Sequence, residues 1–438
     1  MFRFFAHTIR SSVFLQNSIV LFAGTMVANV LNYVFHFVIG RMVEPAVYGE
    51  VESIVSLLVI VSVPGTAIAI IATRYAASAK ASGDRDMSRK IFRYINTKML
   101  FFGGGLFVGA IVLTPWVMEF LKIDRFVAMA MLWGMMLLSF FSASATGMLS
   151  GWQKFGWVSI GNVASAAAKL FFSVLFVMLG FSVSGVVGAF FLASVAGYAI
   201  FTLFLRRLHR QTADDASSEM RDESPRGETL PSMRSYAFPV LWTSLAVAIL
   251  GNVDMVLAKY HLDPDTAGVY GALFIVSKTI YFVGGILVSV MFAMASEEHD
   301  RVLSGVGSNS KLFRNAFALT ALFSIGAVAF FALFPTFVLQ VFFGATYVGA
   351  AEYLGWFALA NAFLVLAHFL SQHLLAIRRT GIAYALLAVA IAEIPMVFLL
   401  GGSIESVIMI TVVFQAAAFA VAAAALWHSH KKHATLSV

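Results

Sequence analysis

Twelve long apolar runs, separated by mostly short polar connections, set the pattern of this chain. They cover roughly 17–39, 48–72, 99–121, 126–149, 158–180 and 184–205, then 236–258, 271–294, 315–338, 353–375, 382–400 and 405–427. About 20 apolar residues, rising about 1.5 Å each, cross the hydrocarbon core of a bilayer, which is about 30 Å thick. Strand-like alternation is missing, and only helices satisfy their backbone internally in lipid without closing a barrel. The pattern therefore predicts an all-α polytopic membrane protein of about twelve transmembrane helices. Pro64 in the second run and Pro239 in the seventh are candidate bends. The segment Met1–Arg10 is short and basic, and the run after it shows no distinct cleavage pattern, so it reads as a retained first helix.

The polar connections carry a second message. With the N-terminus placed inside, the inside segments hold 23 Lys and Arg residues. The outside loops hold only Arg41, Lys122, Arg125 and Lys259, and Lys169 and Lys278 lie within runs. Positive charge accumulates on the cytoplasmic side, so this asymmetry predicts both termini in the cytoplasm, with the protein in a bacterial or archaeal plasma (inner) membrane. The net charge of +7 then faces anionic membrane lipid. Nucleic acid is excluded as a partner, because no folded basic domain is present to hold it.

The longest polar stretch, Arg206 to Tyr236, lies near mid-chain and invites a search for duplication. Glu44-Pro45-Ala46-Val47-Tyr48-Gly49 after the first run is matched by Asp263-Pro264 and Gly268-Val269-Tyr270-Gly271 after the seventh. Ser88-Arg89-Lys90-Ile91-Phe92-Arg93 is matched by Asn309-Ser310-Lys311-Leu312-Phe313-Arg314, and Trp152-Gln153-Lys154-Phe155-Gly156 by Ile377-Arg378-Arg379-Thr380-Gly381. The three matches keep their order at nearly constant offset. They predict two six-helix lobes, 1–210 and 236–438, joined by a cytoplasmic linker at 211–235. Because six is even, the lobes are related by a parallel pseudo-two-fold along the membrane normal, an arrangement suited to alternating access.

Composition narrows the chemistry. Hydrophobic residues make up 60% and charged residues only 12%, against about 25% charged in a soluble domain. With no cysteine, disulfides, thiolate metal sites and thiol catalysis are excluded. Gly103-Gly104-Gly105 lacks the Lys-Ser/Thr of a phosphate-binding loop, and no nucleotide-hydrolysis motif is present. No cofactor is expected. His368 and His373 are five apart, a spacing that does not make a metal pair, and no metal site is expected. Glu297, Glu298, His299 and Asp300 read as a solvated loop, and His428, His430, Lys431, Lys432 and His433 as a basic tail. Gly147 and Gly151 have the spacing of close helix packing.

An ionisable group at the bilayer centre costs at least about 2.5–3.5 kcal/mol, so each one needs a reason. Lys169 lies near the middle of the fifth run. It either lines a cavity and attracts a pyrophosphate, or is held in an ion pair between helices. Lys278, about 10 Å from the outer end of the eighth run by helical rise, either lines the cavity or snorkels. Asp254 is a partner for Lys278 or a proton acceptor. Glu393, two residues before Pro395, is a hinge or coupling site, or a paired Glu at a simple kink. Asn29, Asn32 and His36 put one polar face on the first helix, directed at the cavity or at another helix. Arg41, Glu50 and Glu52 at the outer mouth, and Arg74 at an inner helix end, read as interfacial anchors.

Gly40-Arg41-Met42-Val43-Glu44-Pro45 with Tyr48-Gly49 resembles the first outside loop of the polysaccharide transporter (Wzx-type flippase) family. Asp254-Met255-Val256-Leu257-Ala258-Lys259 with Gly268-Val269-Tyr270-Gly271 resembles its seventh helix and following loop. That family belongs to the multidrug/oligosaccharidyl-lipid/polysaccharide exporter superfamily. The resemblance implies flipping of an undecaprenyl-pyrophosphate-linked sugar unit for O-antigen, capsule or exopolysaccharide assembly, with the polysaccharide assembly machinery as partner. The driving force would be an ion gradient, with H+ or Na+ as coupling ion, or downstream consumption of the product. An ion-coupled drug/cation antiporter of the same superfamily is the alternative, but its helix 1 commonly carries an acidic residue, which helix 1 of this chain lacks. A membrane-embedded polymerase or ligase would show a large outside loop with Arg or His. The longest outside loop here, about 339–352, has no Lys or Arg, so the chain is not expected to be an enzyme.

Overall fold

A computed structural model describes residues 13–82, 85–210, 230–303 and 310–436. Met1–Arg10 and linker residues 211–229 lie outside the described residues. So do the side chains of Glu297, Glu298, His299, Asp300, His430, Lys431, Lys432 and His433. Every regular element described is helical. The first run of elements is α1 (Val13–Met42), α2 (Pro45–Val61), α3 (Pro64–Ala81), α4 (Arg85–Leu121), α5 (Phe126–Gly151), α6 (Phe155–Met178) and α7 (Val183–Arg210). The second is α8 (Leu230–Leu250), α9 (Val253–His261), α10 (Pro264–Leu303), α11 (Ser310–Leu333), α12 (Pro335–Phe342), a 3-10 segment (Ala345–Tyr353), α13 (Leu354–Ala376), α14 (Ile382–Leu400) and α15 (Ile404–Leu436). Among the described residues, 11 helices are long and apolar enough to cross a membrane, and the bent pair α2–α3 makes up to 12. Large apolar side chains point outward, with Phe101 76% and Leu322 69% exposed. A soluble surface would not tolerate so many of them, but lipid solvates them. The chain is a multi-pass membrane protein.

Two spans are broken, and each break has a local cause. The second bends by 45° between α2 and α3. Pro64 opens α3, where its missing N–H costs nothing, so this candidate bend falls where the sequence places it. The seventh differs from expectation: α8 continues through Pro239, and the chain breaks at Gly251–Asn252 instead, with Asn252 at φ −147° and ψ −20°. A break in an apolar span frees carbonyls that lipid cannot satisfy. Here Asn252 Nδ2 donates to the Ala248 carbonyl at 2.8 Å, and Gln415 Nε2 on α15 donates to the Leu250 carbonyl at 2.7 Å. Side-chain amides hold the broken backbone.

The duplicated motifs fold alike. After α5, Trp152, Gln153 and Lys154 donate their N–H groups to the carbonyls of Met148, Ser150 and Leu149. After α13, Ile377, Arg378 and Arg379 donate to those of His373, Leu375 and Leu374, the same pattern 225 residues later. Gln153 and Arg378 sit at φ 57° and 60°, the left-handed residue of a Schellman-type helix end. The proline turns agree as well. Tyr48 N–H binds the Glu44 carbonyl, and Ala267 N–H the Asp263 carbonyl, so Pro45–Gly49 pairs with Pro264–Gly268. Asp263 also accepts from the Thr266 N–H at 3.1 Å, and the Thr266 hydroxyl, with this N–H, holds its carboxyl below the usual range. Because a non-glycine residue pays about 1 kcal/mol or more in the left-handed region, Arg378→Gly is expected to raise the melting temperature in detergent by a few degrees. Arg378 is exposed, so an unchanged or lower value would contradict a strained helix end.

The helices pack into two compact units, Met1–Met42 with Pro64–Ser232, and Val43–Val63 with Met233–Val438. This grouping departs from a division at the linker alone, because α2 packs with the second unit. In unit 1, Gly147 and Gly151 bring α5 onto α3. A Cβ on them would stand 2.6 Å from the Ala69 carbonyl oxygen and 2.4 Å from that of Thr73. Buried bonds from Trp133 to Thr114 and from Trp152 to Ser88 join α5 to α4 and close α5's C-terminal end over α4. In unit 2, α2 crosses α10 at two glycines. A Cβ on Gly49 would lie 2.7 Å from the Gly268 nitrogen, and one on Gly268 would lie 1.9 Å from the Pro45 carbonyl oxygen. These two glycines occupy equivalent positions in the repeat.

Candidate functional site

In unit 1 the polar face of α1 meets the intramembrane lysine of α6. Lys169 Nζ donates a hydrogen bond to Asn32 Oδ1. It also stands 4.6 Å from the centre of the Phe35 ring and 4.7 Å from that of Phe190. The two rings meet edge to face at 4.9 Å. Helix spacing explains the grouping, since Asn32, Phe35 and His36 lie within four residues on α1. Each cation–ring contact contributes about 0.5–2 kcal/mol, depending on solvation. An amide oxygen and two ring faces are among the contacts that position the ammonium. Lys169 is half-buried. His36 packs against Phe35 at 4.9 Å, and Asn29 lies one turn away, half-buried.

Unit 2 holds a larger polar cluster, built around the break in the seventh span. Asp254 on α9 accepts from the Tyr270 hydroxyl of α10 at 2.6 Å through Oδ2, while its buried Oδ1 has no hydrogen-bond partner. Lys278, one face further along α10, donates to Asn252 Oδ1 at 2.7 Å and covers the Phe274 ring at 3.7 Å. Among the described residues Lys278 and Asp254 form no salt bridge: Lys278 binds Asn252, Asp254 binds Tyr270, and the two act on each other through space. Lys278 is only 8% exposed, so it does not snorkel. Glu393 on α14 is 0% exposed, and among the described residues neither carboxyl oxygen has a hydrogen-bond partner. Its charge is felt by Asp254 and Tyr270, and Thr411 of α15 reaches the same tyrosine hydroxyl.

The mouth residues divide. Arg41 is exposed at the end of α1, and Arg74 is exposed in the interior of α3, not at the helix end the sequence suggests. Glu52 is 0% exposed, against the interfacial-anchor expectation, and its stem packs on Gly271 beside Lys278. Glu50 lies 4.0 Å from Lys259, whose side chain is only 2% exposed. Charge counting treats Lys259 as a loop residue, yet it is interior. Sequence reasoning also missed Tyr270, Thr411 and Gln415 as parts of the cluster, although a lone Gln in an otherwise apolar run was a usable signal. His368 binds the Tyr281 hydroxyl at 3.0 Å and Gln372 at 2.9 Å, and His373 packs on Phe313 at 4.1 Å.

An isolated carboxylate is costly away from water. Unit 1 thus places an ammonium, and unit 2 buried carboxyls, within the membrane-spanning helices.

Comparison with known proteins gives three results. The family model described as "Polysaccharide biosynthesis protein" matches residues 14–299. No curated protein matches in sequence. Among solved structures, an inward-facing multidrug resistance MATE family transporter of the MOP superfamily is similar at TM-score 0.71 and 14% identity, over 96% of this chain and 99% of that one. An outward-facing structure of such a transporter is similar at TM-score 0.63 and 16% identity, over 97% and 96%. The lipid II flippase MurJ, in an inward closed conformation, is similar at TM-score 0.67 and 14% identity, over 92% and 86%.

Proposed function

Since the chain belongs to the polysaccharide biosynthesis protein family, with the fold of MOP-superfamily transporters, we propose that it is a flippase for a lipid-linked oligosaccharide. The cargo is of the undecaprenyl-pyrophosphate type, moved across a bacterial or archaeal plasma membrane by alternating access. Both termini are cytoplasmic, and the polysaccharide assembly machinery takes the product. The observation that carries this reading is Lys169, a cation held near mid-membrane by Asn32, Phe35 and Phe190. A doubly negative pyrophosphate cannot cross hydrocarbon alone, and a positioned cation along its path lowers that cost. The lipid II flippase title of one structural neighbour supports the same class of cargo.

Asp254 and Glu393 form the coupling site for H+ or Na+ in this reading. Glu393→Gln keeps the shape and removes the exchangeable charge. Transport driven by an imposed ion gradient is expected to fall to the gradient-independent rate, with the melting temperature unchanged. Undiminished gradient dependence would place coupling elsewhere. The cluster of buried acids also fits an ion-coupled drug/cation antiporter, so a cationic dye belongs in the same assay. The cargo itself is tested by gene deletion. Undecaprenyl-linked repeat units are expected to accumulate on the cytoplasmic face, and unchanged glycan export would rule the flippase reading out.

A further inference from the structure

Away from both clusters, α4, α5 and α7 of unit 1 enclose a groove of about 440 Å³. Arg89 and Arg93 enter it from α4 and Arg206 from α7, and no carboxylate lines it. Arg89 and Arg93 are four residues apart and so share one face of their helix. Among the described residues none of the three has a salt-bridge partner. Three exposed guanidinium groups around one groove repel one another unless an anion joins them.

The groove is also graded with depth. Arg89, Arg93 and Asn96 occupy the first turns of the membrane-crossing helix Asp86–Leu121, and Arg206 lies near the end of the span Val183–Leu208. They flank the apolar runs 99–121 and 184–205, where the head groups of a bilayer lie. Leu100, one turn beyond Asn96 and about 6 Å deeper by helical rise, lines the groove and is 57% exposed. The rings of Phe141 and Tyr198, 5.9 Å apart, line it as well. Free phosphate needs no apolar wall, whereas a lipid does. Asn96 adds a chemical constraint, because its Oδ1 is buried without a hydrogen-bond partner. A buried acceptor calls for a donor. The oxygens of a phosphodiester carry no proton and cannot supply one, but a hydroxyl on the head group can.

We infer that this groove binds one anionic phospholipid with a hydroxylated head group, of the phosphatidylglycerol class. The arginines take the phosphate, Asn96 takes a hydroxyl, and Leu100 and Phe141 line the path of the acyl chains. The inference is independent of the cargo proposed above and can fail without it. The test is native mass spectrometry of the full chain in detergent, with phosphatidylglycerol, phosphatidylmethanol (an anionic diester with no hydroxyl), phosphatidylcholine and inorganic phosphate as separate probes. Wild type is expected to retain one phosphatidylglycerol at least tenfold more than phosphatidylcholine. The triple variant R89Q/R93Q/R206Q should lose that preference while keeping its melting temperature, since all three side chains are exposed. Asn96→Leu, which keeps the arginines, should bind phosphatidylglycerol and phosphatidylmethanol equally. Equal retention by wild type and the triple variant would overturn the site. So would equal retention of phosphatidylcholine, or displacement of the lipid by millimolar inorganic phosphate. A phosphatidylglycerol preference that survives Asn96→Leu would overturn the hydroxyl assignment.

Discussion

Export is expected to fall by about one to two orders of magnitude when Lys169 is replaced by alanine, with the protein still inserted and folded. A charge-assisted hydrogen bond contributes about 1.5–3 kcal/mol, and about 1.4 kcal/mol is tenfold. If the ammonium meets the pyrophosphate during passage, its loss removes an interaction of that size at the least favourable point of the path. The local packing should survive, because Phe35 and Phe190 contact each other directly and Asn32 can turn to another partner. Lys169→Arg, which keeps the charge, should retain part of the activity. Lys169→Met, which keeps the stem alone, should behave as alanine. Full activity in the alanine variant would make Lys169 structural or irrelevant.

Gly268→Ala is expected to destabilise unit 2 by about 1–3 kcal/mol, the usual range for overpacking, with the upper end favoured because backbone is in the way. The added Cβ would stand 1.9 Å from the Pro45 carbonyl oxygen and 2.2 Å from its carbon. Neither can rotate aside, so α2 must move off α10. Tyr48, Glu52 and Lys259, all buried in this region, then lose their cover. Gly271→Ala supplies the control on the same helix. Its Cβ would meet side chains alone, Glu52 at 3.4 Å and Tyr48 at 3.5 Å, both ordinary contacts. Thermal unfolding in detergent should separate the two variants clearly, with Gly271→Ala near wild type. Similar melting temperatures would contradict the glycine crossing.

Much of this was legible in the chain because lipid simplifies the rules. Run length counts the spans, and the proline turns and the Trp152 and Ile377 helix ends keep the repeat register. Packing partners were harder to read. Hydropathy makes 48–72 a single span and cannot show that α2 packs with the second unit, a choice made by backbone contact at Gly49 and Gly268. It treats Lys259 as a loop charge because sequence distance says nothing of Glu50. Lys169, Asp254, Lys278 and Glu393 stood out as charges in apolar runs. Their partners did not, since Asn32, Asn252 and Tyr270 reach them from other elements or across a broken turn.

The most direct test uses purified protein in proteoliposomes carrying a polyprenyl-pyrophosphate-linked oligosaccharide in one leaflet, with arrival of the sugar in the other leaflet as the readout. The account predicts transfer well above that of protein-free vesicles, falling to their level with Lys169→Ala. Transfer no faster than in protein-free vesicles, with a cationic dye transported by the same preparation, would contradict it.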